Sequence, residues 1–171
     1  MRRKTVPENK KILIAVDGSE HSYRTVQHVA DLLTANDGFH VGLLHLEIPP
    51  RMLEWGGSED PAVEALVEAE REDTYQDLEK KKMAKGKSLL QRLQVLIADK
   101  GIDVTGLYVR FEEPLDTKSV AANILAAARK HHFGTIVVGR HGSSGWKGFF
   151  HRHVGEQLIR EGEGITICVV G

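Results

Sequence analysis

The chain has a single cysteine, Cys168, in its 171 residues. No disulfide framework can staple it, so a reducing compartment is the simpler expectation. Cys168 sits inside the apolar run ITICVV, where a buried, inert thiol is expected because no second cysteine is there to resolve it. An excess of charge of one sign is also lacking. With 23 basic residues against 24 acidic ones, the chain offers no overall positive field to a nucleic-acid backbone or an anionic membrane. Long apolar runs are missing as well. No window approaches the ~20 residues of a membrane helix. The opening MRRKTVPENKKILIAV has only the short run ILIAV after Lys11, too brief for a secretion-signal core and preceded by Pro7. The expectation is a cytoplasmic chain with neither a membrane nor a nucleic-acid partner.

What is present suffices for one core. Hydrophobic residues make up 41% of the chain, and no composition break or internal repeat divides it. A single α/β domain over 1–171 is expected, with a flexible tail over 1–10 and a mobile loop over 49–61. KILIAVD (Lys11 to Asp17) is a continuous apolar run stopped by GSEHS, which turns the chain and offers helix caps. From Tyr23 to Leu33, Val26, Val29, Ala30 and Leu33 recur at helical steps. HVGLLHLEI is a second strand, ended by Pro49 and Pro50. The segment from about Ala62 to Lys100 carries Val63, Leu66, Val67, Leu78, Leu89, Leu90, Leu93, Leu96 and Ile97 at helical spacing. Its cluster KKKMAKGK reads as a solvated face whose charge order suits the helix dipole. IDVTGLYVRFE, SVAANILAAARKHH, GTIVVG, VGEQLIREG and ITICVV complete an alternation of five strands and four helices. Strands separated by helices pair in parallel through right-handed crossovers, giving a doubly wound sheet with helices on both faces.

In such sheets ligands sit beyond the carboxyl ends of the strands, where strand order reverses. Two loops there draw attention: VDGS after the first strand and GRHGSSG after the fourth. Gly139 and Gly142 allow amides to approach an anion without a side chain between, and they equally suit a tight turn. Neither a G-x-G-x-x-G fingerprint nor a P-loop is present, and Trp146 occupies the last position of a would-be G-x-S-x-G. His45, His131, His132, His141, His151 and His153 lack metal-ligand spacing. His45 reads as a strand residue satisfied by its neighbours, and the His131–His132 pair as charge at a helix carboxyl end. Asp17 suits a turn or helix cap as well as a ligand contact. Trp55, with Met52 and Leu53, marks the loop as a contact site for an unidentified protein partner or as cover for the sheet edge.

Taken together, KILIAVDGSEHS, VGLLHL and IVVGRHGSSGWKGFFHRHVGEQLI before a terminal TICVV resemble a universal stress protein over nearly the whole chain. The resemblance implies a flavodoxin-like sheet of five parallel strands in order 3-2-1-4-5 and a homodimer through the C-terminal strand. In one branch of the family it also implies bound ATP with Mg2+. That branch carries Gly, two residues, Gly, nine residues, then Gly followed by Ser or Thr. Gly139 and Gly142 match the first half. Counting nine residues past Gly142 reaches Arg152 and His153, where the nucleotide binders keep the small pair that donates to phosphate. By the same resemblance Asp17 takes the adenine and ribose end. Leu46 falls where a backbone group meets adenine, Val138 lies beside it, and Val154 follows the small pair. Arg152 and His153 place bulk where glycine lets phosphate approach amides most closely, yet arginine is itself a bidentate phosphate ligand. The expectation is a stress-response binding or signalling module, not a turnover enzyme, with ATP binding weakened or absent. Two alternatives stand beside it: an adenine-nucleotide sensor using Asp17, Gly139 and Gly142 with Arg152 on phosphate, and a slow ATPase of the same family.

Overall fold

The computed structural model describes residues 8–33, 38–47, 61–111, 117–140 and 154–171. After a 3-10 turn at Glu8–Lys10, strands and helices alternate: β1 Lys11–Val16, α1 Glu20–Leu33, β2 His40–Glu47, α2 Pro61–Ala98, β3 Asp103–Phe111, α3 Thr117–Lys130, β4 Thr135–Gly139, α4 Val154–Glu161 and β5 Thr166–Val170. The strands form one parallel sheet in the order β3-β2-β1-β4-β5. This is the doubly wound, flavodoxin-like order expected from the sequence.

The continuous apolar runs follow from burial on both faces. Along β1, Ile12, Ile14 and Val16 enter one core layer and Leu13 the other; along β2, Leu43 enters the first, Leu44 and Leu46 the second. The first layer is closed by Val26, Val29, Ala30 and Leu33 of α1 and by Leu89, Leu90, Leu93 and Ile97 of α2. The second is closed by Val120, Ile124 and Leu125 of α3 and by Val154 and Leu158 of α4. Each fully buried Leu or Ile contributes about 1.5–3 kcal/mol over its exposed state, so the central strands and their covering helices hold most of the fold's apolar stabilisation. Among the described residues no helix is long and apolar enough to cross a membrane.

Local chemistry sets the boundaries. α1 begins at Glu20 rather than at Tyr23, because Ser19 caps it: the Ser22 N–H donates to Ser19 Oγ at 3.1 Å. α2 opens on Pro61, the last residue of the expected mobile loop, in the first-turn position where a missing N–H costs nothing. It closes at Gly101, whose φ of 76° and N–H bond to the Ala98 carbonyl at 2.8 Å stop the helix. Leu78, expected on the apolar face of α2, is 40% exposed. α3 ends in a Schellman arrangement with His132 at φ 58°: Phe133 N–H reaches the Ala128 carbonyl at 2.9 Å and His132 N–H the Arg129 carbonyl at 3.3 Å.

Two expectations are corrected. Residues 8–10, assigned to a flexible tail, form the 3-10 turn. The Gly134 N–H is shared between the carbonyls of Glu8 at 3.0 Å and Lys11 at 3.2 Å, and the Glu8 carboxylate meets His132 Nδ1 at 3.0 Å. Cys168, expected buried, is exposed. β5 lies at the sheet edge, and among the described residues the side chains that close the first layer come from α1 and α2, which leave the Cys168 position exposed.

Candidate functional site

Strand order reverses between β1 and β4, and the pairing Ala15↔Val138 sets their carboxyl ends level. On the other side Val16 pairs with His45. Asp17 at the end of β1, Leu46 near the end of β2, and Val138 and Gly139 at the end of β4 therefore gather at one rim of the sheet. Gly142, Arg152 and His153, and the Trp55 loop, lie outside the described residues.

The turn after β1 is built from its own polar side chains. Asp17 is half-buried, and its Oδ1 accepts from Ser22 Oγ at 2.5 Å and from the Ser19 N–H at 3.0 Å. The Ser22 hydroxyl accepts in turn from the Asp17 N–H at 3.0 Å. Gly18 makes the turn at φ 81°, a conformation costly for any other residue. Asp17 thus closes the Asx turn that leads into α1, which Ser19 caps, and its carboxylate is held in one orientation at the rim. Of the turn and helix-cap roles weighed from the sequence, the turn role is the one present.

The other rim residues offer backbone rather than side chains. Leu46 and Val138 bury their side chains in the layer under α3 and α4, and Val154 packs into the same layer at the start of α4. Gly139 is half-buried, and the next residue ties β4 to β5 through the Arg140 N–H and the Val170 carbonyl at 2.6 Å. An oriented carboxylate flanked by strand-end backbone offers a polar ligand a fixed acceptor beside main-chain donors and acceptors.

Beside the rim lies a network the sequence reading only half found. His45 is 4% exposed, with Nδ1 2.9 Å from the Val16 carbonyl and Nε2 3.1 Å from Glu47 Oε1. Lys82, on α2, brings Nζ to 3.4 Å from Glu47 Oε2. Burial pushes the His45 pKa down, but the Glu47 carboxylate and the Val16 carbonyl outweigh it and hold the imidazole above its ordinary value. Burial likewise works against the Glu47 carboxylate, yet His45 and Lys82 bring it below its usual range. His45 satisfied by its neighbours was expected; Glu47 and Lys82 were not named. The two-residue spacing of His45 and Glu47 puts both on one face of β2 and was a usable signal. The reach of Lys82 depends on how α2 lies across the sheet, which no local pattern reports.

The remaining described histidines do not join this group. His131 stacks on Tyr108 with ring centroids 4.4 Å apart, and His132 pairs with Glu8. Among the described residues no three His, Cys, Asp or Glu side chains are arranged to hold a metal.

Comparison with known proteins places this architecture. The family model described as "Universal stress protein family" matches residues 8–164. No curated protein matches the chain at a significant level. Among solved structures, universal stress protein UspA from Lactobacillus plantarum is 12% identical with a TM-score of 0.65, covering 96% of this chain and 99% of that one. A universal stress family protein from Burkholderia pseudomallei is 20% identical with a TM-score of 0.59, covering 95% and 96%. The universal stress protein from Archaeoglobus fulgidus, solved in complex with dAMP, is 19% identical with a TM-score of 0.52, covering 94% and 97%.

Proposed function

The chain belongs to the universal stress protein family, and from that premise we propose that it is a cytoplasmic binding and signalling module of the stress response. In this reading its crevice keeps the base-and-ribose half of an adenine-nucleotide site while its hold on ATP is weakened or lost. The observation that carries this is the gathering of Asp17, Leu46, Val138 and Gly139 at the reversal of strand order. The Archaeoglobus relative was solved with dAMP, a nucleotide with a single phosphate, and such a ligand needs little of a triphosphate cradle. Arg152 and His153 stand where the family's ATP binders have a small pair, and their bulk opposes close approach of phosphate to helix amides. The same reading has the chain act as a homodimer through β5, with the Trp55 loop as a contact for a protein partner.

Calorimetric titration of the full chain with ATP and magnesium, and with AMP, tests the nucleotide claim. The expected result is weak or absent ATP binding, and ATP affinity rising by about tenfold or more, some 1.4 kcal/mol, when Arg152→Gly and His153→Ser restore the small pair. A tight, stoichiometric ATP isotherm from the unaltered chain would overturn the weakened-site reading. Were that binding lost in Arg152→Gly alone, the sensor using Arg152 as phosphate ligand would replace it. Phosphate release that disappears in Asp17→Asn would instead favour the slow ATPase.

A further inference from the structure

We propose that His45 is the positioning residue of this crevice: clamped between the Val16 carbonyl and the Glu47 carboxylate, its ring sets where Asp17 and Leu46 stand. The proposal rests on the reading of Asp17 and Leu46 as the base-and-ribose end. Each of those residues is the chain neighbour of a group in the clamp, since Asp17 follows Val16 and Leu46 lies between His45 and Glu47. Both partners of the ring accept hydrogen bonds and neither can donate. A neutral imidazole has one N–H and can satisfy only one of them; an imidazolium satisfies both. At 2.9 Å and 3.1 Å both acceptors lie within hydrogen-bond reach of the ring, as a doubly donating imidazolium requires.

Among the described residues the groups around the ring favour this form against the cost of burial. Asp17 at the end of β1 and Glu47 on β2 both favour the charged ring. α2 brings Lys82, which engages the second Glu47 oxygen rather than the ring, and Gly86, where an added Cβ would sit 3.0 Å from His45 Cδ2. β3 sets the apolar Val109 in register beside His45. As pH rises through the raised pKa of His45, one of the two contacts becomes a meeting of lone pairs and must open. The clamped, binding-competent rim is the form below that midpoint and is lost above it.

The test follows the ring and the rim together in the full chain. Imidazole nitrogen resonances of His45 and backbone amide resonances of Asp17 and Leu46 are recorded from about pH 5 to about pH 9, across the histidine range. Expected are two protonated ring nitrogens at the acid end, and Asp17 and Leu46 amides that move with the His45 midpoint. Glu47→Gln should lower that midpoint, and Lys82→Met should raise it by leaving the Glu47 charge less neutralised. AMP affinity should weaken by about threefold to tenfold from about pH 6 to about pH 8.5 and stay flat in His45→Asn, which can donate to the Val16 carbonyl but does not titrate. A ring with one bare nitrogen throughout, or rim amides indifferent to the His45 midpoint, would overturn the assignment. Should AMP fail to bind at either pH, the nucleotide reading falls, while the amide midpoints in the unaltered chain still decide the role of His45.

Discussion

The two edges of this sheet end in opposite ways. β3 is covered on both faces: Val104, Leu107 and Val109 pack on the layer under α1 and α2, while Tyr108 packs on the other. On that second face aromatic rings stand in for missing side chains. Gly42 and Gly106 are cross-strand partners, the Phe133 ring lies against Gly42, and Tyr108 folds back over Gly106. Tyr108 is flanked by His131 in a tilted stack and by Phe133 edge-on at 6.3 Å. Among the described residues β5 has less cover, with α4 beside only one of its faces. It turns Ile167 and Val170 inward but leaves Cys168 and Val169 exposed, with Val169 at 41%. An open strand edge with exposed apolar side chains invites another strand. Among the described residues β5 is the less covered of the two edge strands, and the homodimer proposed above would use it.

The largest test of the comparison removes the seal at β3. Phe133 is buried, fills the space over Gly42 and touches Tyr108, so Phe133→Ala should cost about 3–5 kcal/mol. The expected observation is a lowered urea midpoint with the denaturant slope unchanged. A loss below about 1 kcal/mol would mean that the rings are not what closes this edge.

A smaller effect comes from crowding the same place. A Cβ on Gly42 would sit 2.3 Å from Phe133 Cζ, so Gly42→Ala must displace a buried ring and should cost about 1–3 kcal/mol. Because both substitutions act on one contact, the double variant Gly42→Ala with Phe133→Ala should be more stable than the sum of the two single losses predicts. Strict additivity within about 0.5 kcal/mol would separate the glycine from the ring and weaken the account of aromatic cover.

How much of this could be read from the sequence differs from part to part. Apolar runs and helical spacing report local structure well, and the order of five strands and four helices follows from them together with the handedness of crossovers. The same runs cannot say which strand lies at an edge, because an edge is a property of the sheet. That is why ITICVV reads as buried while Cys168 is exposed. Asp17 and Gly139 were singled out as residues of loops at strand ends, and parallel pairing alone brings those ends to one rim. The clamp at His45 was half visible, since the alternation within β2 is local, but Lys82 joins from α2 across a separation of 35 residues. Aromatic cover over Gly42 and Gly106 had no sequence signal, because each glycine looks the same until its neighbour across the fold is known.

The least perturbing test acts on the open edge. Val169→Lys places a charge on an already exposed side chain of β5, so the stability of the single chain should stay within about 0.5 kcal/mol. Its consequence should appear in association instead. A lysine on an edge strand resists strand-to-strand pairing, because joining the edge would bury the ammonium or force it aside. If β5 is where two copies meet, sedimentation across a dilution series should find self-association in the unaltered chain and a single-chain species in the variant. Modification of Cys168 by a thiol reagent should be slow in the associated form and fast in the variant. Unchanged association in Val169→Lys, with Cys168 equally reactive in both proteins, would show that copies do not pair through this edge, and the contrast between β3 and β5 would then reflect helix coverage alone.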